Sequence, residues 1–301
     1  MSSRAKAVAR TIVRGLTQPR LALLALRERG LAFVFDELRR ASPQRLDRIV
    51  RGLSIRVATE NRENLERLFV EDLAEVRDED ERLYRVRLTS GETFVIRKEV
   101  CVSDMRVVWE TFVRRDYAEH PPLAGKTVLD VGANLGDTSA YYALQGAHVI
   151  AYEPSKELFD LAVRNAALNG VDVEFHNLGI GCEDCSLEMA IGPRGASPMS
   201  LTMFPGTPPP TDARLQERVM IDVVSLADVL ARLGSVFLMK MDCEGCEYPS
   251  LLGLPSETLR TIEHVFMEYH ESPDPLCRMF EESGFAVRMK PWRLILADRL
   301  P

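Results

Sequence analysis

Beyond Pro122 the chain alternates short apolar runs with amphipathic stretches, and this alternation restricts the fold more than any other feature. Residues 126–131, 148–152 and 171–175 read as strands, and 138–144 and 156–168 as the helices between them. A β-α-β-α-β order implies a parallel sheet with right-handed crossovers. The pattern continues with strands at 219–224, 236–241 and 264–268 and a helix at 273–282. Two further runs, 286–289 and 294–297, close as a terminal hairpin. The expectation is an α/β, Rossmann-like sheet with helices on both faces.

The stretch before Pro122 has a different texture. Val8, Ile12 and Leu16 recur four apart among basic residues. Ser42-Pro43 opens a second apolar stripe of Leu46, Ile49, Val50 and Leu53. Tyr84, Val86 and Leu88 alternate with Arg85 and Arg87 before Ser90-Gly91 turns the chain into 93–96, a hairpin. Ser103 is expected to cap a helix running through Trp109 and Phe112 to about Tyr117. His120-Pro121-Pro122 then marks a boundary. This divides the chain into a helical and hairpin region, 1–120, and an α/β domain, 121–301. Residues 192–211 are rich in Pro, Gly, Ser and Thr and read as a long loop that covers an acceptor.

Charge and hydropathy exclude several classes. The net charge is −7, yet residues 1–60 carry 13 Lys and Arg against 5 Asp and Glu. The acidic remainder argues against a nucleic-acid partner, which needs a basic docking face. The basic start offers a peripheral contact to an anionic membrane or a synthase partner. The longest aliphatic run, Leu21 to Leu26, is too short for the ~20 apolar residues of a membrane span. No cleavage site follows it, so a cytoplasmic location is expected.

The chemistry begins where residues 127–131 run into Gly132-Ala133-Asn134-Leu135-Gly136. A Gly-rich turn between strand and helix lets a ligand approach the backbone. The spacing lacks the middle glycine of the dinucleotide fingerprint, which argues against NAD. Asp130 suits a cationic or amine group. Glu153, 23 residues on at the next strand tip, suits ribose hydroxyls. Adenosine with a short zwitterionic tail meets both demands, and S-adenosylmethionine is such a molecule.

The strings LDVGANLGDTS, IAYEPS and LMKMDCEGCEYPSLL together resemble the FkbM-type family of class I S-adenosylmethionine-dependent methyltransferases. The resemblance spans about residues 103–270, and its sharpest part is Lys240-x-Asp242-x-Glu244-Gly245-x-Glu247. It implies a seven-stranded, mostly parallel sheet with an antiparallel last strand, and methyl transfer usually to a hydroxyl oxygen. It also implies that Asp130, Gly132, Asn134 and Gly136 line the methionine end of the cofactor. Asp137 and Thr138 would sit beside them, Glu153 would take the ribose and Asn177 would lie near the adenine.

Asp242, Glu244 and Glu247 follow an apolar strand, and Glu268 and His270 end the next one. Ligands gather at such strand ends in open α/β sheets. Asp242 and His270 are therefore candidate bases, with Glu268 on the same catalytic rim and Lys240 paired to one of the acids. These carboxylates also offer oxygen ligands, Asp242 and Glu268 first, to a cation such as Mg2+. Two C-x-x-C pairs, Cys182/Cys185 and Cys243/Cys246, raise a zinc site or a redox pair, against which stands a reading as small buried side chains that need not converge. A small molecule, sugar or glycan is the expected acceptor. A cofactor-binding partner module without turnover and a zinc protein are the alternatives.

Overall fold

The computed structural model describes residues 61–191, 217–290 and 293–301. The helices expected before residue 60 and the loop expected at 192–211 lie outside the described residues. In chain order the elements are α1 (Arg62–Leu68), β1 (Leu73–Asp78), β2 (Leu83–Leu88), β3 (Thr93–Arg97), α2 (Cys101–Phe112), β4 (Thr127–Val131) and α3 (Asp137–Ala143). Then come β5 (His148–Tyr152), α4 (Lys156–Leu168), β6 (Val173–His176), β7 (Gly179–Gly181), β8 (Cys185–Ile191), β9 (Glu217–Ser225) and α5 (Leu226–Leu233). The last are β10 (Val236–Met241), α6 (Glu247–Leu251), α7 (Ser256–Leu259), β11 (Ile262–Glu268), α8 (Asp274–Glu282), β12 (Phe285–Lys290) and β13 (Leu294–Arg299).

Seven strands form one sheet in the order β12-β13-β11-β10-β4-β5-β6. Strands β11, β10, β4, β5 and β6 run parallel, and β13 is antiparallel to both of its neighbours. This is the expected α/β architecture with its antiparallel last strand. Alternate residues face opposite sides of a strand. Leu129, Val131, Met239 and Met241 pack under Leu226, Leu230, Leu276 and Phe280 from α5 and α8. Val128, Leu238 and Phe266 face the other way, against Tyr117 and Tyr142. Asp130 and Lys240 are register partners on this second face.

The N-terminal boundary differs from the sequence expectation. The helix begins at Cys101 after a 3-10 turn, so Ser103 lies inside it and caps nothing. It ends at Phe112, five residues early, and Arg115 shortly after takes a left-handed backbone, φ 58°. The hairpin forms as expected but gains β1, so the sheet has three strands. Strand β1 escapes the sequence because both of its faces are largely exposed and its alternation is weak. A second small sheet, β7-β9-β8, was also hidden, since a Gly179–Gly181 strand carries no apolar pattern.

Residues 61–117 pack closely on the α/β domain. Leu65, Phe94, Ile96, Met105 and Trp109 share one core with Leu135, Leu158 and Leu161 of the α/β domain. Two amides on α4 complete the joint. Asn165 exchanges two hydrogen bonds with the backbone of Val95, and Asn169 does so with Thr93. Side chains four apart on a helix thus meet residues two apart on a strand, and α4 satisfies the exposed edge of β3. Among the described residues no helix is long and apolar enough to cross a membrane.

Candidate functional site

The turn after β4 holds three left-handed residues, Gly132 (φ 78°), Asn134 (φ 52°) and Gly136 (φ 80°). A Cβ on Gly132 would stand 2.0 Å from the Asp242 carbonyl oxygen, and one on Gly136 would stand 2.9 Å from Ala162 Cα. The glycines are therefore required by close approach of the chain to itself. The sequence reading assigned that room to a ligand.

Asp130 is fully buried at the end of β4 and does not line the cleft. Its Oδ2 accepts from Thr138 Oγ1 at 2.7 Å and Ser139 Oγ at 2.6 Å. Its Oδ1 faces Lys240 Nζ at 3.2 Å. The cation that Asp130 holds is thus the protein's own lysine. Lys240 is only 3% exposed and also donates to the Gly132 carbonyl at 2.7 Å. Burial pulls the lysine down, but Asp130, Asp242 and Asp137 together hold it above its ordinary value. The pair ties β4, β10 and the start of α3 into one unit.

Glu153 does reach the cleft. One carboxylate oxygen accepts from Asn134 N at 2.9 Å and the other from Ser155 N at 2.8 Å. Burial raises this carboxyl to about 7, although both backbone bonds pull it down. Asp137, also on the cleft, is raised by burial to about 6 while accepting from Thr111 Oγ1 on α2. Thr138 lies beside it on the cleft wall. Asn134 Oδ1 is buried and has no hydrogen-bond partner. Asn177 is different: its amide donates to the Glu153 and Pro154 carbonyls at 2.9 and 3.0 Å and braces that loop. The cleft wall at this end is Leu178, Gly179 and Ile180 instead.

The second acidic string follows β10. Asp242 and Glu244 line the cleft, whereas Glu247 is 0% exposed. Glu247 accepts from Cys243 N, Gly245 N and His270 Nδ1 at 3.2, 2.9 and 2.9 Å, so it holds the loop's shape. His270 Nε2 lies 3.1 Å from Glu244 and 3.8 Å from Asp242. With an acceptor at each ring nitrogen, the ring carries both protons. Burial works against this, but Glu244 and Glu247 raise His270 to about 11. That corrects the expectation for His270: a cation in this clamp cannot take a proton from a hydroxyl. Asp242 is raised by burial and by Glu244, against the pull of Lys240 and His270. Glu268 sits behind the rim and off the cleft, its pKa pushed well up by burial and by Asp242.

The metal expectation meets a different set of residues. Atoms of Asp242, Glu244 and His270 lie within 4.8 Å of one another, but Glu268 is not among them. Both nitrogens of His270 face carboxylates, so a cation bound there would displace a ring proton. Cys243 and Cys246 do converge, contrary to expectation, and form a disulfide across 5.5 Å between Cα atoms. A joined pair offers no thiolate to zinc. Cys182 is exposed and Cys185 partly buried, both free.

The cleft lined by Asn134, Asp137, Glu153, Asp242 and Glu244 spans about 1100 Å³, open solvent included. One end carries Asn134, Asp137, Thr138, Glu153, Lys240, Asp242 and Glu244. The other is apolar, built from Leu187, Met189, Ile221 and Val223 of the small sheet. Sequence reasoning missed this apolar wall, as well as Val107, Glu110 and Tyr117, which enter from α2 and the segment after it. Tyr117 lies far from both glycine and acidic strings in sequence, so only tertiary folding brings it there.

The family model described as a methyltransferase FkbM domain matches residues 130–289, more than half the chain. Methyltransferase 1 of Beauveria bassiana is 29% identical over 200 residues, covering 60% of this chain and 80% of that protein. Methyltransferase sdnD of Sordaria araneosa is 25% identical over 200 residues, covering 53% and 73%. Among solved structures, a Synechocystis magnesium protoporphyrin IX methyltransferase covers 66% of this chain and 83% of its own at 15% identity, TM-score 0.37. The matched span runs from Asp130 through the acidic loop to β12 and so contains both ends of the cleft. The chain belongs to the FkbM family of methyltransferases.

Proposed function

We propose that the protein transfers the methyl group of S-adenosylmethionine to a hydroxyl oxygen of a small molecule, sugar or glycan. The residues of the cleft suit that cofactor. Glu153 is a buried carboxylate with a single backbone donor on each oxygen. Asn134 Oδ1 is a buried acceptor with none. A ribose diol and an amino group supply the missing donors. When bound, the sulfonium supplies an electrophilic methyl group. Everything else falls to the protein: it must hold an acceptor oxygen in line and take its proton.

The observation that carries the reading is Asp242, a half-buried carboxylate on the cleft wall whose neighbouring imidazole is held well above its usual value by Glu244 and Glu247. Asp242 is then the base, accepting the hydroxyl proton at a carboxylate oxygen. Lys240 and His270 pull against the rise that burial imposes on it. Alignment supplies most of the remaining acceleration, up to ~7–11 kcal/mol. Glu110, Asp242 and Glu244 give the cleft mouth acceptor oxygens. They favour an acceptor rich in hydroxyl donors and disfavour a phosphate backbone, so no nucleic-acid partner is proposed. Magnesium is not part of the proposal. A peripheral membrane or synthase contact through residues 1–60, and a cytoplasmic location, are part of it only as the sites where the basic start would act.

Calorimetry with S-adenosylhomocysteine tests the cofactor; absence of binding would sink it. A ¹³C-methyl cofactor incubated with hydroxyl-bearing acceptors identifies the methylated atom by its chemical shift. Asp242→Asn should lower turnover ~10²–10⁴-fold while leaving S-adenosylhomocysteine affinity nearly intact. His270→Gln should not mimic it. Full turnover in Asp242→Asn, or methyl groups found only on nitrogen or carbon, would overturn the reading. Cofactor binding with no methylated product from any acceptor would favour the partner-module alternative.

A further inference from the structure

Tyr117 lies outside the matched family span and ahead of the α/β domain, yet its side chain lines the cleft. Its hydroxyl stands 3.4 Å from Asp242 Oδ2. The ring is 9% exposed and packs on Phe266 of β11, centroids 5.2 Å apart, with Lys240 Nζ 5.9 Å from its own centroid. The phenol cannot drift from this place.

The backbone leading to it is built to keep it there. Arg115 holds a left-handed φ of 58°, a conformation costly for a non-glycine residue and kept only when its surroundings enforce it. Arg114 does the enforcing. Its Nε bonds both oxygens of Asp116 at 2.7 and 2.8 Å, its Nη2 reaches Glu110 at 3.1 Å, and its guanidinium lies 5.2 Å from the Trp109 ring. One arginine therefore ties the end of α2 across the strained residue to Asp116, next to Tyr117. Thr111 on the same helix donates to Asp137, another residue of the cleft's polar end.

We infer that Tyr117 is a positioning residue for methyl transfer: it orients the Asp242 carboxylate, and the Arg114–Asp116 clasp is the device that delivers it. This rests on Asp242 being the base. The phenol donates to Oδ2 and turns Oδ1 toward the acceptor, so the segment before the α/β domain completes the site. Burial beside carboxylates keeps the phenol protonated and hence always a donor.

The test is Tyr117→Phe in the full chain, isosteric but without the donor. The expected result is unchanged S-adenosylhomocysteine affinity and a kcat lowered about tenfold, the scale of one hydrogen bond to a charged group. The loss should vanish in the Asp242→Asn background, because Tyr117 acts through Asp242. A merely structural tyrosine would lower both backgrounds alike. Arg114→Lys, which keeps the charge but loses the fork, should reproduce part of the kcat loss. A second cycle on urea midpoints, Tyr117→Phe against Asp242→Asn, needs no acceptor. Additivity in that cycle, or equal kcat losses in the two backgrounds, overturns the inference. Coupling in the stability cycle with no methyl transfer by wild type would instead leave the contact standing and overturn the proposed reaction.

Discussion

Replacing Lys240 with methionine should destabilise the fold severely. The lysine is 3% exposed and its partner Asp130 0%, so water screens neither charge. Methionine fills the space but leaves the Asp130 carboxylate buried with two hydroxyl donors and no counter-charge. It also strips the donor from the Gly132 carbonyl. Breaking a buried pair from one side costs about 3–5 kcal/mol, a large share of the ~5–15 kcal/mol that holds a protein folded. At ~2–4 °C per kcal/mol for a domain of this size, the midpoint should fall by about 10 °C. The assay is a thermal and urea cycle of Lys240→Met, Asp130→Asn and the double variant. Removing both charges should recover at least ~2 kcal/mol relative to the sum of the singles. A midpoint within about 2 °C of wild type for Lys240→Met, or strict additivity, would refute the view that Asp130 and Lys240 are each other's partners. The same argument predicts that Asp130→Asn, once folded, binds S-adenosylhomocysteine within about tenfold of wild type, since Asp130 lies off the cleft.

Further outcomes follow from neighbouring residues. Glu153, raised to about 7, and Asp137, raised to about 6, bind protons more tightly folded than unfolded. Stability should therefore fall as pH rises from about 4 to 7, by up to about 3 kcal/mol for Glu153 alone. Glu153→Gln should flatten that part of the urea-midpoint profile, and an unchanged slope would contradict the burial argument. Gly132→Ala should give little folded protein, because its Cβ would meet the Asp242 carbonyl, whereas Gly91→Ala, with φ 116° and nothing within 4 Å, pays only backbone strain. Circular dichroism and melting of the two variants decide between them. Alkylation under denaturing, non-reducing conditions should label Cys101, Cys182, Cys185 and Cys277 but not Cys243 or Cys246, as read by peptide mass.

The central strands β4, β5 and β10 were legible because they are buried on both faces and read as near-continuous apolar runs. Residues 148–152, 156–168 and 236–241 match their elements residue for residue. Glu153, Asn134, Asp137 and Asp242 were legible too, since strand-end position follows directly from strand order. The roles of Asp130, Asn177, Glu247 and His270 were not. Each was read as facing a ligand, and each has its partners inside the protein. A sequence reports that a residue is charged, but its pKa and its partner depend on what the fold packs against it. His270 becomes a fixed cation only because Glu244 and Glu247 arrive at its two nitrogens from another loop.

The chain by itself determined the α/β class, the order of elements along it and the strand ends at which the two acidic strings emerge, because periodicity and chain direction are local properties that topology rules convert into a fold. Tertiary structure alone decided that residues 61–117 share the core, that Tyr117 stands beside Asp242, and that the glycines yield to the protein's own backbone. Those are contacts between segments up to 125 residues apart, and no local pattern encodes the distance between two side chains that only packing brings together.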